Sequence, residues 1–423
     1  MDVDSAGLGA TRALFLRLAG VVGRRAGEGA GAGAIEMAGR LLDRSPDWAD
    51  LRALARREGV SAVLWPRLRR VLDATGAPRP PAEVEEALRH EAMVGEFHAR
   101  RLEARLQDVL ELLSSGGVEP VLLKGAGLAY TVHGGMARRP MGDIDLLIPR
   151  EAMPAAMAAL RSAGWTPEQA GRTEEHYSTH QHAPPMVEPG GGTAVVELHD
   201  QLVPPGNPFN FGAGRMRARA RRVPSPLGEV LVPSMADQLL HVAIHLAWSH
   251  ELRWGAWRAI ADVAAIVAVA AEADAAPPGA GERPTARTLD EIVEEARWAG
   301  AGSCVYWTLR LAAALGGARV PEPWLAALRP PGAVAALERH LAHQLLPGPG
   351  VVPSVRLGRL GWTAAIRPGW SGHGGARPWL IGVGADMGAE EGDRGGQGVR
   401  EDIRRGPSGR GARWWRYLGT LAR

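Results

Sequence analysis

The chain has 423 residues, 46% of them apolar, enough for two or three domains with real cores. A formal charge of +3 gives little support for a dedicated polyanion surface, and a single cysteine excludes a disulfide framework or a cysteine-rich zinc module. That cysteine count fits a reducing, cytoplasmic setting.

Asp2 and Asp4 stand where a signal peptide would be basic. The most apolar later stretch, 259-AIADVAAIVAVAAEADAA-276, carries Asp262, Glu272 and Asp274. It is expected to be a buried helix, so neither a leader nor a membrane span is expected. Residues 1–36, with the Gly/Ala run 24-RRAGEGAGAGAIE-36, read as a mobile segment and linker. Residues 37–115 follow a helical period, with Leu64, Leu68 and Val71 and then Leu102, Leu106, Val109 and Leu113 on one face each. Gly116 and Gly117 stop that pattern.

The period then shortens over residues 116–234. Val118 to Leu123 is expected to be a buried strand, Gly125 to His133 a short helix, and 134-GGMARRP-140 a loop. A second strand is expected at 141-MGDIDLLI-148, a helix from Arg150 to Ala163, and a third strand at 193-TAVVELHDQL-202. Residues 235–345 return to helix, in segments broken at 275-AAPPGAGERP-284. From 346 to 423, Gly, Pro and Arg dominate, and this tail is expected to be partly disordered, with Trp414 and Trp415 available to dock it. The expected class is α+β, a small mixed-sheet core flanked by N- and C-terminal helical domains.

The chemistry concentrates in three short motifs. Asp143 and Asp145 alternate with Ile144 in an apolar strand, so both carboxylates project from one face. Like charges that close need a cation or a shared proton, and Mg²⁺ (or Mn²⁺) suits such an oxygen site. Glu197 and His199 share a face of the third strand, and a sheet that sets Glu197 beside the aspartates makes a three-carboxylate site for divalent ions. In 121-VLLKGAGLAY-130, Lys124 is the one lysine among 49 Lys plus Arg, and it precedes Gly125 at a strand end. A glycine there lets the backbone approach phosphate, and a compact ammonium suits a crowded site. Because the lysine precedes its glycine, the motif is not a Walker A loop.

Taken together, KGAGLAY, RRPMGDIDLLIPRE and VELHDQL resemble the nucleotidyltransferase superfamily that includes DNA polymerase beta, and more closely the bacterial uncharacterised nucleotidyltransferase family. The likeness spans Val121 to Leu202. It implies transfer of a nucleoside monophosphate from an NTP to an unidentified acceptor, whether small molecule, peptide or RNA. It also implies that Asp143, Asp145 and Glu197 hold two metal ions and that Lys124, Gly125 and Arg139 contact phosphate. Ala126 stands where the superfamily has a second Gly or Ser. A nucleotide-binding protein that retains the site without turnover, and a toxin-type enzyme acting on tRNA, remain alternative readings.

Weaker features complete the picture. His241 and His245, four apart on a helix, read as packed or capping histidines, with lining of the site as the second reading; His182, in the cluster 176-HYSTHQH-182, is expected near the site mouth and not in a metal site, and His199 is a further lining candidate. The run 215-RMRARARR-222 would present Arg215, Arg217, Arg219 and Arg221 on one face if it were a strand, which would give tRNA a place to bind.

Overall fold

The computed structural model describes residues 10–19, 32–168, 180–249, 257–275 and 288–330, together with Tyr177, Glu338 and Leu341. The tail at 346–423 with Trp414 and Trp415, the break at 276–284 and His176 lie outside the described residues. Five helices come first: α1 (Ala10–Ala19), α2 (Ala32–Leu42), α3 (Trp48–Arg57), α4 (Ser61–Thr75) and α5 (Ala82–Ser115). Expected to be part of a mobile segment, α1 instead buries Leu14, Phe15, Leu16 and Leu18. Its apolar residues are run together tightly enough to pack, and the Gly/Ala composition that argued for mobility begins only beyond its end.

The sheet region follows as β1 (Val121–Leu122), α6 (Lys124–Leu128), β2 (Asp143–Leu147), α7 (Met153–Ser162), β3 (Thr166–Pro167), β4 (Met186–Val187), β5 (Val195–His199), α8 (Ala213–Ala218), β6 (Arg221–Ser225) and β7 (Gly228–Val232). The seven strands are ordered β3-β4-β5-β2-β1-β7-β6. β2 runs parallel to β5 and antiparallel to β1, and β1 runs parallel to β7. β1 is shorter than the apolar run around it because Pro120 has no N–H to give a ladder. Past Leu128 the helix continues as a π-helical turn, Ala129–His133, which Gly134 ends at φ +74°.

The chain closes with α9 (Met235–Ile244), α10 (Trp257–Ala275), α11 (Thr288–Trp298), α12 (Gly302–Ala314) and α13 (Glu322–Leu328). No helix among the described residues is long and apolar enough to cross a membrane.

Strand alternation sorts the sheet into two layers. Ile144 and Leu146 of β2 and Val196 and Leu198 of β5 pack with Leu102, Leu106, Val109 and Leu113 of α5 and with Leu160 of α7. The opposite face sends Val121, Leu123 and Leu147 into a larger core, where helices from both ends of the chain meet: Leu14, Leu51 and Leu64 join Leu239, Ile260, Val263 and Trp307. The N- and C-terminal helices therefore share one core. At 34 residues α5 is about 50 Å long, and it contributes Leu88 to one core and Leu102 onward to the other.

The arginine run is not a single strand face. It bends from α8 into β6, and Arg215, Arg217 and Arg219 are paired within the protein. Arg215 and Arg219 both engage Glu295, Arg219 also engages Asp237, and Arg217 donates to the carbonyls of Leu147 and Glu119. An exposed basic row for tRNA is absent from this segment. The carboxylates of Asp237 and Glu295, far away in sequence, draw these guanidiniums inward.

Candidate active site

The site lies on the sheet face that looks toward the shared helical core. β2 and β5 are in register so that Asp145 pairs with Glu197 and Leu147 with His199, while Asp143 pairs with Val195. Asp145, Glu197 and His199 each offer a ligand atom, and these atoms lie within 4.8 Å of one another. Asp143 is on the same face, two residues back, but outside that tight set.

Asp145 is 4% exposed, and two donors converge on one of its oxygens. Lys124 Nζ donates to Oδ1 from 2.8 Å, and His199 Nε2 reaches the same oxygen at 2.8 Å. A carboxylate only accepts, so His199 carries its proton on Nε2, which also lies 3.5 Å from Glu197 Oε2. His199 Nδ1 is buried with no partner among the described residues.

The charges reinforce each other. Burial pushes the Asp145 carboxyl up, but Lys124 and His199 together hold it well below the usual range. Burial pushes the pKa of Lys124 down, and the three surrounding acids more than reverse this and hold it protonated. His199 is raised in spite of burial, because Asp145 and Glu197 accept from it. Asp143 goes the other way: burial, then the charges of Asp145 and Glu197, push it up to about 6. An acid that its neighbours make reluctant to ionise is one that a cation would relieve.

The positions of Lys124 and Gly125 follow from the turn between β1 and α6. Lys124 has φ +41°, and only Ser45 among the other described non-glycine residues is also left-handed. A lysine in that region is strained by roughly 1–2 kcal/mol, and the turn directs its side chain back over β2. A Cβ on Gly125 would lie 2.8 Å from Arg139 Nη1 and 3.2 Å from Met141 Sδ, so glycine lets the loop before β2 close over the helix start. Ala126 is 1% exposed and belongs to the sheet core. A hydroxyl at that position would face apolar side chains.

Arg139 is fully engaged. Its Nε and Nη2 form a fork on Asp262 of α10, at 3.2 and 2.7 Å, and Nη1 donates to the Pro140 carbonyl. His133 Nε2 lies 2.7 Å from Asp262 as well. Burial would raise the Asp262 carboxyl, but Arg139 and His133 bring it down to about 2.

The sequence places Asp262 in an apolar helix with a looser resemblance to the same family, and it does not single out His133 or Arg258. Arg258 sits one turn before Asp262 and acts through space on Asp143, Asp262 and Glu58. Two charges four residues apart on an alanine-rich helix were the available signal.

The expected lining histidines separate. His182 bridges to His199 across the sheet edge, with ring centroids 5.2 Å apart, and its Nδ1 lies 2.8 Å from the Ala183 carbonyl. His241 is 3% exposed beside Phe211, and burial lowers it to about 3, so it is neutral packing behind the site. His245 contacts His241, with ring centroids 6.3 Å apart, and no third ligand joins the pair among the described residues.

A mixed sheet carrying staggered acids on two adjacent parallel strands, with a glycine turn entering a helix on the next strand, defines a nucleotidyltransferase-type core. The family model described as "Uncharacterised nucleotidyltransferase" matches residues 44–278, more than half of the chain. The chain belongs to that family and is a transferase by that membership. No curated protein matches it.

Proposed function

We propose that the protein transfers a nucleoside monophosphate from an NTP to an acceptor hydroxyl or phosphate, with release of pyrophosphate. The observation that carries this reading is the two-donor clamp on Asp145 Oδ1 opposite Glu197, which presents carboxylate oxygens on one face while their charge is balanced from behind. Asp143, Asp145 and Glu197 fit a divalent ion such as Mg²⁺ or Mn²⁺, because their oxygens are hard donors and Asp143 has no ion-pair partner among the described residues. When bound, one or two such ions would neutralise charge on the phosphates and on the attacking oxygen.

The chain's own residues do the rest. His199 fixes the Asp145 carboxylate through its hydrogen bond to Oδ1. Lys124 balances Asp145 in the resting site and supplies a point charge to the phosphates of the bound NTP. The backbone at Gly125 accommodates those phosphates at the start of α6. Arg139 acts as a positioning residue, held by Asp262, and its charge is felt at Asp143 without a free fork to offer. Glu197, on the β5 side, is placed to accept the acceptor proton.

Incubating the protein with labelled NTPs, divalent metal and candidate acceptors tests this reading. Label transfer and pyrophosphate release, both lost in Asp145→Asn, are the expected result. Metal-dependent NTP binding without release against any acceptor would favour a binding protein instead.

A further inference from the structure

A cavity of about 470 Å³ opens between α4, α5 and the loop leading into β2. That volume is within the range of small-molecule sites. Val94, Ala99 and Leu102 of α5 and Met136, Pro140 and Met141 of the loop give it a mainly apolar wall. Five polar side chains interrupt that wall: Arg56, Ser61, His90, Glu91 and His98. Ser61 and Glu91 are the two whose side chains hold a buried oxygen, Oγ and Oε2, without a hydrogen-bond partner among the described residues. Glu91 Oε1 is already taken, by Arg52 Nη2 at 2.8 Å and Arg56 Nη2 at 2.6 Å. Buried hydrogen-bonding atoms left open in this way are stabilised by a ligand that supplies donors.

The cavity adjoins the candidate site on one particular side. Met141, part of its wall, packs against Gly125, and the chain runs from Met141 through Gly142 directly to Asp143. Gly59, also in the wall, lies against Arg258: a Cβ there would be 3.7 Å from the guanidinium carbon. The charges of Arg258 and Asp143 act on each other, and no hydrogen bond joins Arg258 to an acid among the described residues. Glu197, by contrast, is on β5, on the other side of β2 from β1 and Gly125. Two substrates approaching one set of acids would therefore come from opposite sides of β2, with the acceptor at Glu197 and the NTP at Gly125.

We propose that this cavity receives the nucleobase of the donor NTP, with Ser61 and Glu91 as its hydrogen-bonding groups and Arg258 at the junction with the phosphates. The assignment rests on the nucleotidyl-transfer reading above. An apolar slot suits the base and not the triphosphate, because the Glu91 carboxylate repels phosphate and Arg56 is already paired to it. A carboxylate only accepts, so it favours bases presenting an amino group: adenine, guanine and cytosine ahead of uracil.

Calorimetric titration of the full chain with ATP, GTP, CTP, UTP and inorganic tripolyphosphate, in the presence of Mg²⁺, tests the assignment. Val94 is 51% exposed at the cavity rim, so Val94→Trp fills the space from outside without a buried clash. It should weaken the amino-bearing NTPs by roughly tenfold or more and leave tripolyphosphate binding unchanged. Ser61→Ala should act in the same direction to a smaller extent, and UTP should be the weakest ligand of the wild type. Unchanged NTP binding in Val94→Trp, an equal loss for tripolyphosphate, or wild-type indifference to the base would overturn the proposal. A Val94→Trp effect confined to the KM of the acceptor would assign the cavity to the acceptor and overturn it too. A wild type that binds NTPs through this cavity but transfers nothing would contradict only the transfer reading.

Discussion

Lys124 and Asp145 meet at a single oxygen: Nζ lies 2.8 Å from Oδ1, the oxygen that His199 Nε2 also contacts at 2.8 Å. The lysine side chain is 19% exposed and comes from a left-handed turn. A guanidinium is broader and planar, and it would compete with the imidazole for the space around Oδ1. Lys124→Arg should therefore lower transfer by at least about tenfold with little change in melting temperature. Full activity in that variant would show the solitary lysine to be incidental.

His199→Leu removes the donor that orients Asp145 and keeps an apolar side chain at this buried position of β5. Loss of a hydrogen-bond partner behind a metal ligand typically costs about 10–100-fold in metal affinity. A Mn²⁺ titration followed by electron paramagnetic resonance measures this directly. Unaltered Mn²⁺ affinity would mean that His199 packs against the site without positioning Asp145.

The acidity of Asp143 makes a pH prediction. Its carboxyl is pushed up to about 6 by burial and by the neighbouring acids, so in the metal-free protein it holds a proton below that pH. The ionised form binds the cation. Mn²⁺ affinity should hence be level above pH 6 and fall as pH drops below it, by up to about tenfold per unit. In Asp143→Asn that inflection should disappear.

Asp262 ties α10 to the loop before β2. Asp262→Ala leaves Arg139 buried without its partner and should destabilise the protein by about 3 kcal/mol, read as a fall in denaturation midpoint. The sign of the pH dependence follows from its lowered carboxyl, about 2 against the model-peptide value of 3.8. The stabilisation is present in full above about pH 4 and is lost as pH falls through 2. Wild type and variant should converge in stability at the acid end.

Gly125 and Gly127 separate binding from folding. A Cβ at Gly127 would lie 2.5 Å from the Leu122 carbonyl oxygen, a backbone atom that cannot yield, so Gly127→Ala should cost about 1–3 kcal/mol of stability. At Gly125 the Cβ would meet the Arg139 and Met141 side chains, which can shift. Gly125→Ala should mainly weaken NTP binding, by about tenfold, the scale of one lost charged hydrogen bond. Calorimetry and thermal denaturation of the two variants give opposite rankings if this is correct.

Much of the acid centre was legible because strand alternation is a local code. D-I-D places its two acids, and V-E-L-H its acid and histidine, on one face within a few residues, and the β2–β5 register joins them. What was not legible depends on distant partners. Arg139 finds Asp262 across 123 residues, and no periodicity announces that pairing. Residues 215–222 fit both helix and strand, and what decides is the position of Asp237 and Glu295. α1 was hidden for a simpler reason: its ten helical residues are followed by glycine-rich sequence whose composition masks them. The two-residue strands β3 and β4 lack a pattern of their own, since sheet edges pair by proximity.

The central claim is that Asp145 carries nucleotidyl transfer, and the direct measurement is pyrophosphate release by wild type and Asp145→Asn, side by side, with matched circular dichroism spectra. Metal-dependent release in the wild type and none in the folded variant is the predicted result. Equal release from both proteins would contradict the account.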